Sequence, residues 1–266
     1  FADTLLGNDA DNLFKGGAGN DSLSGGLGND SLYGEDGDDT LAGGGGDDLL
    51  DGGAGINTAD YRVAVNPVSV AILGGSSAES RVSGNGGDTL LGITRILAGG
   101  QQDTFSGYAN GYELDGGAGV DRLDLSGIGL PVGQGFNVNL SQLGGSVARS
   151  DVAGTMQLSG IEQVVAGAGN DSFSGDVASN QFDGGAGTDT MVYSAEAQAV
   201  TVNLSSHGEF EGRAWGTSVA GPGLSDTLFS IENVIGSGND DLINGGTAAV
   251  ANRFKGGGGN DLIDGG

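Results

Sequence analysis

The 266 residues carry 35 acidic side chains against 9 basic ones, a formal net charge of −26, which repels nucleic-acid phosphates and anionic membrane surfaces and favours cations as partners. Glycine, at 58 residues, is far above ordinary usage, yet the three-residue period of collagen is absent and proline numbers only 3. With no cysteine there is neither a disulfide framework nor a thiolate metal site, and no run reaches the ~18 apolar residues of a membrane span.

The chain opens with Asp3-Thr4-Leu5, which reads as the second half of a nine-residue unit, and continues through 7–15, a degenerate unit with Asn12 sixth and Phe14 eighth. Residues 16–60 then divide without remainder into GGAGNDSLS, GGLGNDSLY, GEDGDDTLA, GGGGDDLLD and GGAGINTAD. Glycine holds the first and fourth places, and in all but the last unit an acid holds the sixth and a large apolar residue the eighth. Glycine permits the positive φ of a tight turn, while the half that follows is short, extended and expected to point its eighth residue inward.

After Asp60 the beat stops. Val68, Val70 and Ile72 alternate with smaller neighbours, the period-two signature of a half-buried strand, and 74–87 is expected to be a loop. The pattern returns at Asp88-Thr89-Leu90 and at 98–106, with Asp103 sixth and Phe105 eighth. The passage then recurs. GGAG opens at Gly52, Gly116 and Gly184, so that 116 − 52 = 64 and 184 − 116 = 68. The alternating stretches at 68–70, 136–140 and 200–204 correspond, as do Ile93-Thr94-Arg95, Ile161-Glu162-Gln163 and Ile231-Glu232-Asn233.

This organisation predicts an uninterrupted repeat over 1–60 and three modules over 52–115, 116–183 and 184–255, each holding an insertion of roughly thirty residues in a solenoid. A further unit begins at 256–266, and the sequence is expected to be a piece of a longer chain. Glycine frequency and β-branched apolar stretches predict almost no helix.

Subtraction pairs the acids at the sixth place. The differences 21 − 3, 39 − 21, 48 − 30, 121 − 103 and 189 − 171 are all 18, and 261 − 241 is 20, with the two extra residues falling in 245–255. Period and residue set together match the GGxGxDxUx pattern, and the chain resembles the repeats-in-toxin (RTX) calcium-binding nonapeptide family. The resemblance implies an all-β, right-handed parallel β-roll or β-helix with two units per turn, which stacks residues 18 apart.

It also implies calcium ligands: carbonyls at the first and third places and the carboxylate at the sixth. These are Gly16, Ala18 and Asp21; Gly25, Leu27 and Asp30; Gly34, Asp36 and Asp39; and Gly43, Gly45 and Asp48. By the same motif the acids Asp3, Asp103, Asp121, Asp171, Asp189, Asp241 and Asp261 join them. Strands stack about 4.8 Å apart and calcium takes oxygens at about 2.3–2.6 Å, so an ion midway between rungs meets both carboxylates. Without it, the pair repels by roughly 3–4 kcal/mol at an effective dielectric of about 20. Few or no ions are expected near Asn12, Asn57, Asn180, Asn252, Tyr112 and Met156.

Catalytic readings find little support. The single His207, with Glu209 and Glu211 nearby, cannot build the usual zinc set and is expected in an exposed loop. Phe210 and Trp215 suggest a sugar-stacking surface, though a packed loop is the plainer expectation. Paired carboxyls serve glycoside hydrolysis, but here pairs occur throughout the chain and single out no site. Nucleophile elbow and phosphate-binding loop are both absent.

The expectation is a non-enzymatic, calcium-folded structural or adhesive segment of a secreted or cell-surface bacterial protein, exported by type I secretion as the resemblance implies. Its partners are several calcium ions and, beyond them, copies of itself or cell-surface polysaccharide, with no nucleic acid and no membrane insertion. The alternative is the calcium-dependent folding and secretion tail of an exported protease, lipase, epimerase or toxin.

Overall fold

A nine-residue unit that spends its first half on glycine has too little helix propensity to coil, and its second half alternates like a strand. In the computed structural model, which describes residues 1–73, 80–84, 86–140, 145–204, 209–210, 213–220, 225–245 and 252–265, every helix or strand element is a strand. Turns fall on the glycines. Gly17, Gly26 and Gly44 hold φ of +100°, +114° and +108°, and Glu35, at the equivalent place in the third unit, is forced to +76°. The chain forms two compact units, one of 1–124 with 155–161 and one of 125–154 with 162–266.

In the first unit, alternate nonapeptides go to alternate stacks, so strands 18 residues apart become neighbours. One stack runs in parallel through Thr4–Leu6, Ser22–Leu27, Thr40–Gly45, Asn57–Asp60, Ile93–Leu97, Glu113–Asp115 and Met156–Ser159. Its eighth-place side chains Leu23, Leu41, Ala59, Ile96 and Leu114 form a buried ladder. The other stack runs through Leu13–Ala18, Ser31–Asp36, Leu49–Asp51 and Gly87–Leu91, burying Leu32, Leu50 and Leu90. Each fully buried leucine contributes about 2–3 kcal/mol, and because the ladder recurs on every turn the core grows along the stack.

In the second unit Phe136–Asn139, Ser172–Ser174, Thr190–Val192, Asn233–Ile235 and Arg253–Lys255 stack in parallel over Val138, Phe173, Met191 and Val234. Gln163–Val165, Gln181–Asp183 and Ser225–Phe229 do the same over Val164, Phe182 and Leu228. The rings of Phe173 and Phe182 meet with centroids 5.3 Å apart. The fold is that of an all-β parallel β-roll, as the resemblance implies.

The insertions contribute antiparallel strands. Ser80–Ser83 lies between Ser69–Ile72 and Gly87–Leu91, antiparallel to both, and Arg213–Ala220 lies likewise between Val200–Asn203 and Ser225–Phe229. Gly145–Arg149 is antiparallel to Phe136–Asn139. The loop expected over 74–87 is therefore corrected at Ser80–Ser83 and Gly87. Val82 is buried opposite Val70, and one inward valine among serines and an arginine is too short an alternation to announce a strand; 74–79 and 85 lie outside the described residues. So do His207 and Glu211, and of Glu209, Phe210 and Trp215 only the backbone is described.

Candidate metal centre

The sixth-place acids point into the stack. Asp21, Asp30, Asp39 and Asp48 are all at most 3% exposed, so each carboxylate must find donors inside the protein. One oxygen does. Asp21 Oδ1 accepts the backbone N–H of Asp3 at 2.7 Å, and Asp39 Oδ1 accepts that of Asp21 at 2.8 Å. Asp30 Oδ1 accepts from Asn12 at 2.7 Å and Asp48 Oδ1 from Asp30 at 2.8 Å. The 18-residue ladder is thus a chain of carboxylate-to-backbone bonds, each rung holding the one before it.

The second oxygen is different. Oδ2 of Asp21, Asp30, Asp39, Asp48, Asp171 and Asp189 is buried with no hydrogen-bond partner. Beside each of them but Asp171, whose unit opens on Ala166, the glycine at the first place leaves a concavity. A Cβ built on Gly16 would collide with Asp21 Oδ2 and stand 2.9 Å from the carbonyl of Gly34. On Gly25 it would collide with Asp30 Oδ2 and stand 2.6 Å from the Gly43 carbonyl, and on Gly34 it would meet Asp39 Oδ2 and the Gly52 carbonyl at 2.7 Å. Carboxylate and carbonyl oxygens converge on a space that only a missing side chain keeps open, a donor set for a hard cation.

The carbonyls of Gly34 and Gly43, named above, face the Oδ2 atoms of Asp21 and Asp30 across these spaces. The third-place carbonyl of Asp36 accepts the Gly19 N–H at 2.9 Å and keeps a second lone pair. Among the described residues no three His, Cys, Asp or Glu side chains cluster as a metal site. A cation held in these spaces would draw on backbone oxygen as well as on the carboxylates.

Burial pushes Asp39, Asp48 and Asp171 above the usual carboxylate range, Asp88 up to about 6 and Asp189 up to about 7.

The remaining sites divide by what reaches the second oxygen. The acids 18 apart stack as subtraction predicts, with Asp103 N–H on Asp121 Oδ1 and Asp171 N–H on Asp189 Oδ1, both at 2.7 Å, and the 20-residue pair has Asp241 N–H on Asp261 Oδ1 at 3.0 Å. Asp103 Oδ2, however, accepts the Gly99 N–H at 3.2 Å and Asp241 Oδ2 the Ser237 N–H at 2.6 Å. At Ala98 and Ala166 a methyl group takes the first place that glycine leaves open elsewhere. Asp3 is exposed and Asp261 half-buried.

Two neutral rungs satisfy the space in another way. Asn57 accepts the Asp39 N–H at 2.9 Å and donates its amide to the Gly92 carbonyl at 3.1 Å; Asn252 donates to the Gly245 carbonyl at 3.1 Å. Tyr112 and Met156 are buried at the sixth place, making an apolar rung.

Sequence reasoning passed over three contributors. Asp88 is the rung above Asp48, its Oδ1 accepting the Asp48 N–H at 3.0 Å across 40 residues, and its Oδ2 takes the hydroxyl of buried Tyr61 at 2.9 Å. Asp226 is matched in the same way by Tyr193 at 3.2 Å. Glu232 Oε2 accepts the Asp189 N–H at 2.8 Å. The tyrosines share the tenth place counted from GGAG, which is the signal that could have found them.

The repeat is also matched by comparison with known families. The model for the RTX calcium-binding nonapeptide repeat matches in four copies, over residues 1–32, 24–59, 158–191 and 249–266. No curated protein matches the sequence. Among solved structures, the chain is similar to the AlgE6R3 subunit from the Azotobacter vinelandii mannuronan C5-epimerase, at 22% identity and a TM-score of 0.24, over 56% of this chain and 71% of that one. It is also similar to the extracellular lipase LipA from Serratia marcescens, at 20% identity and a TM-score of 0.24, over 86% of this chain and 38% of the lipase. A run of buried half-satisfied carboxylates on an 18-residue turn, and a repeat model that finds the same stretches, identify this chain as a carrier of RTX calcium-binding nonapeptide repeats.

Proposed function

We propose that the chain is a calcium-folded, non-catalytic structural or adhesive segment of a secreted or cell-surface protein. The uninterrupted repeat of 1–60 serves as the calcium-dependent roll, and modules beginning at 52, 116 and 184 present the contacting surfaces, whether to further copies of the chain or to surface polysaccharide. The observation that carries this reading is the row of buried Oδ2 atoms on Asp21, Asp30, Asp39 and Asp48, each beside a glycine-lined space. A buried ionised carboxylate without partners is strongly disfavoured. Calcium bound there would supply the missing positive charge to Asp21, Asp30, Asp39 and Asp48 and to the carbonyls of Gly34 and Gly43.

The low calcium of a cytoplasm would leave such a chain poorly ordered and the higher calcium outside would fold it, a property suited to an exported protein. Circular dichroism of the full chain during chelator titration tests this. The β signal falls as calcium is removed and returns when it is restored; a signal that persists unchanged at low calcium refutes the proposal.

A further inference from the structure

The regular repeat is not the only place where an oxygen set converges. Asp189 is completely buried, and while its Oδ1 accepts the Asp171 N–H at 2.7 Å, its Oδ2 has no partner. What lies above it is not another nonapeptide. The chain leaves after Val192, makes the insertion, and returns at Ser230 to Glu232. A Cβ built on Gly184 would collide with both Asp189 Oδ2 and the Ser230 carbonyl oxygen, so these two oxygens face one open space. Glu232 lies on the next rung, its Oε2 2.8 Å from the Asp189 backbone nitrogen.

Ser230 gives the space its ceiling. It holds φ at +51°, in the left-handed region that residues with a side chain rarely occupy. Gly92 and Gly160, at the corresponding turns, hold +58° and +57°, so the turn is kept here without the residue best suited to it.

We propose that Asp189, the Ser230 carbonyl and Glu232 form a cation site of their own, closed by the strand that returns from the insertion. It takes a hard divalent cation of the calcium type through two carboxylates and backbone oxygen. Asp189 belongs to the nonapeptide pattern, but Ser230 and Glu232 do not, and through them the ion pins the return of the inserted segment to the roll. The site rests on the calcium reading of the preceding section and extends it to residues outside the repeat.

Equilibrium dialysis of the full chain against calcium, with bound ions counted per chain, tests the site in two variants. Glu232→Gln keeps the shape and an acceptor for the Asp189 N–H while removing the charge. Gly184→Ala, whose backbone lies outside the left-handed region, puts a methyl group into the space itself. Each is expected to bind one ion fewer than the unaltered chain, and circular dichroism in calcium identifies a variant that has failed to fold, leaving the other to decide. A full complement of ions in the folded variant overturns the site. An unaltered chain that binds no calcium overturns instead the reading on which the site rests.

Discussion

Asp39→Asn separates the two jobs of the ladder carboxylate. The asparagine keeps an Oδ1 to accept the Asp21 N–H, now bonded at 2.8 Å, but places an amide where Oδ2 now meets the open space against the Gly52 carbonyl. Asn57, one rung above, shows the result already in place: its Oδ1 accepts the Asp39 N–H and its amide donates to a carbonyl at 3.1 Å. Without metal, the substitution removes a repulsion of about 3.5 kcal/mol, taken for charges about 4.8 Å apart at an effective dielectric of about 20. It adds a hydrogen bond worth about 1 kcal/mol. With metal it removes a ligand, and an ion present at about a hundred times its dissociation constant contributes about 2.7 kcal/mol. By these magnitudes the variant is more stable than the unaltered chain in chelator by about 4.5 kcal/mol, and it gains about 2.7 kcal/mol less when calcium is added. Circular dichroism gives the first as a larger residual β signal in chelator, and urea unfolding gives the second as a smaller rise of the midpoint between chelator and saturating calcium. A variant weakened in chelator, or one whose midpoint rises with calcium as much as that of the unaltered chain, refutes the assignment of Oδ2 to the cation.

The raised carboxyls fix a pH dependence. Between about pH 4, where an unfolded aspartate titrates, and the folded values of about 6 for Asp88 and about 7 for Asp189, the folded chain binds more protons than the unfolded one. Metal-free stability therefore falls as pH rises through that window, by on the order of 2 kcal/mol for each group, and urea midpoints in chelator at pH 5 and pH 8 check the sign. Apparent calcium affinity moves the other way, weakening as pH drops from 7 to 5, because a bound ion must displace the proton that Asp189 takes up; calcium titrations at the two pH values measure it. Tyr61→Phe leaves Asp88 Oδ2 without the hydroxyl it now accepts at 2.9 Å, costing about 1–3 kcal/mol in the urea midpoint with the count of bound calcium unchanged. Gly25→Ala sets a methyl group against Asp30 Oδ2 and 2.6 Å from the Gly43 carbonyl, and equilibrium dialysis should find one ion fewer.

Much of this was legible because the repeat ties chemistry to spacing. A nine-residue period with two units per turn makes 18 the distance between neighbours, and Asp21, Asp39, Leu23 and Leu41 fall on it whether or not any contact is known. The same arithmetic fails across an insertion. Asp48 and Asp88 are as closely bonded as Asp30 and Asp48, at 3.0 and 2.8 Å, but the 40 residues between them carry no period to subtract. Ser80–Ser83 was hidden for a related reason: an antiparallel strand is specified by the neighbours it wedges between, and its own four residues alternate over too short a span. The hydroxyls of Tyr61 and Tyr193 carry only a positional signal, the tenth place counted from GGAG, and a tyrosine reads first as core, which both also are.

The sixth-place side chain is met in several ways, and three of them follow the architecture. In the uninterrupted repeat, where the turn is short and glycine holds the first place, Oδ2 of Asp21, Asp30, Asp39 and Asp48 has no hydrogen-bond partner, and the proposed cation would meet it. Where the first module begins, Asn57 replaces the acid and its amide takes the carbonyl. On the strand that returns from that insertion, Asp88 keeps its charge but receives the hydroxyl of Tyr61, and Asp226 receives that of Tyr193. An insertion must close over tens of residues, and loop closure costs entropy before any contact repays it. A joint held by an amide or hydroxyl from the chain forms with the fold itself, whereas a joint held by an ion depends on its concentration. Calcium dependence is therefore expected to be steepest in 1–60 and weakest at the tyrosine-capped returns, so that the roll responds to calcium while those joints keep their register.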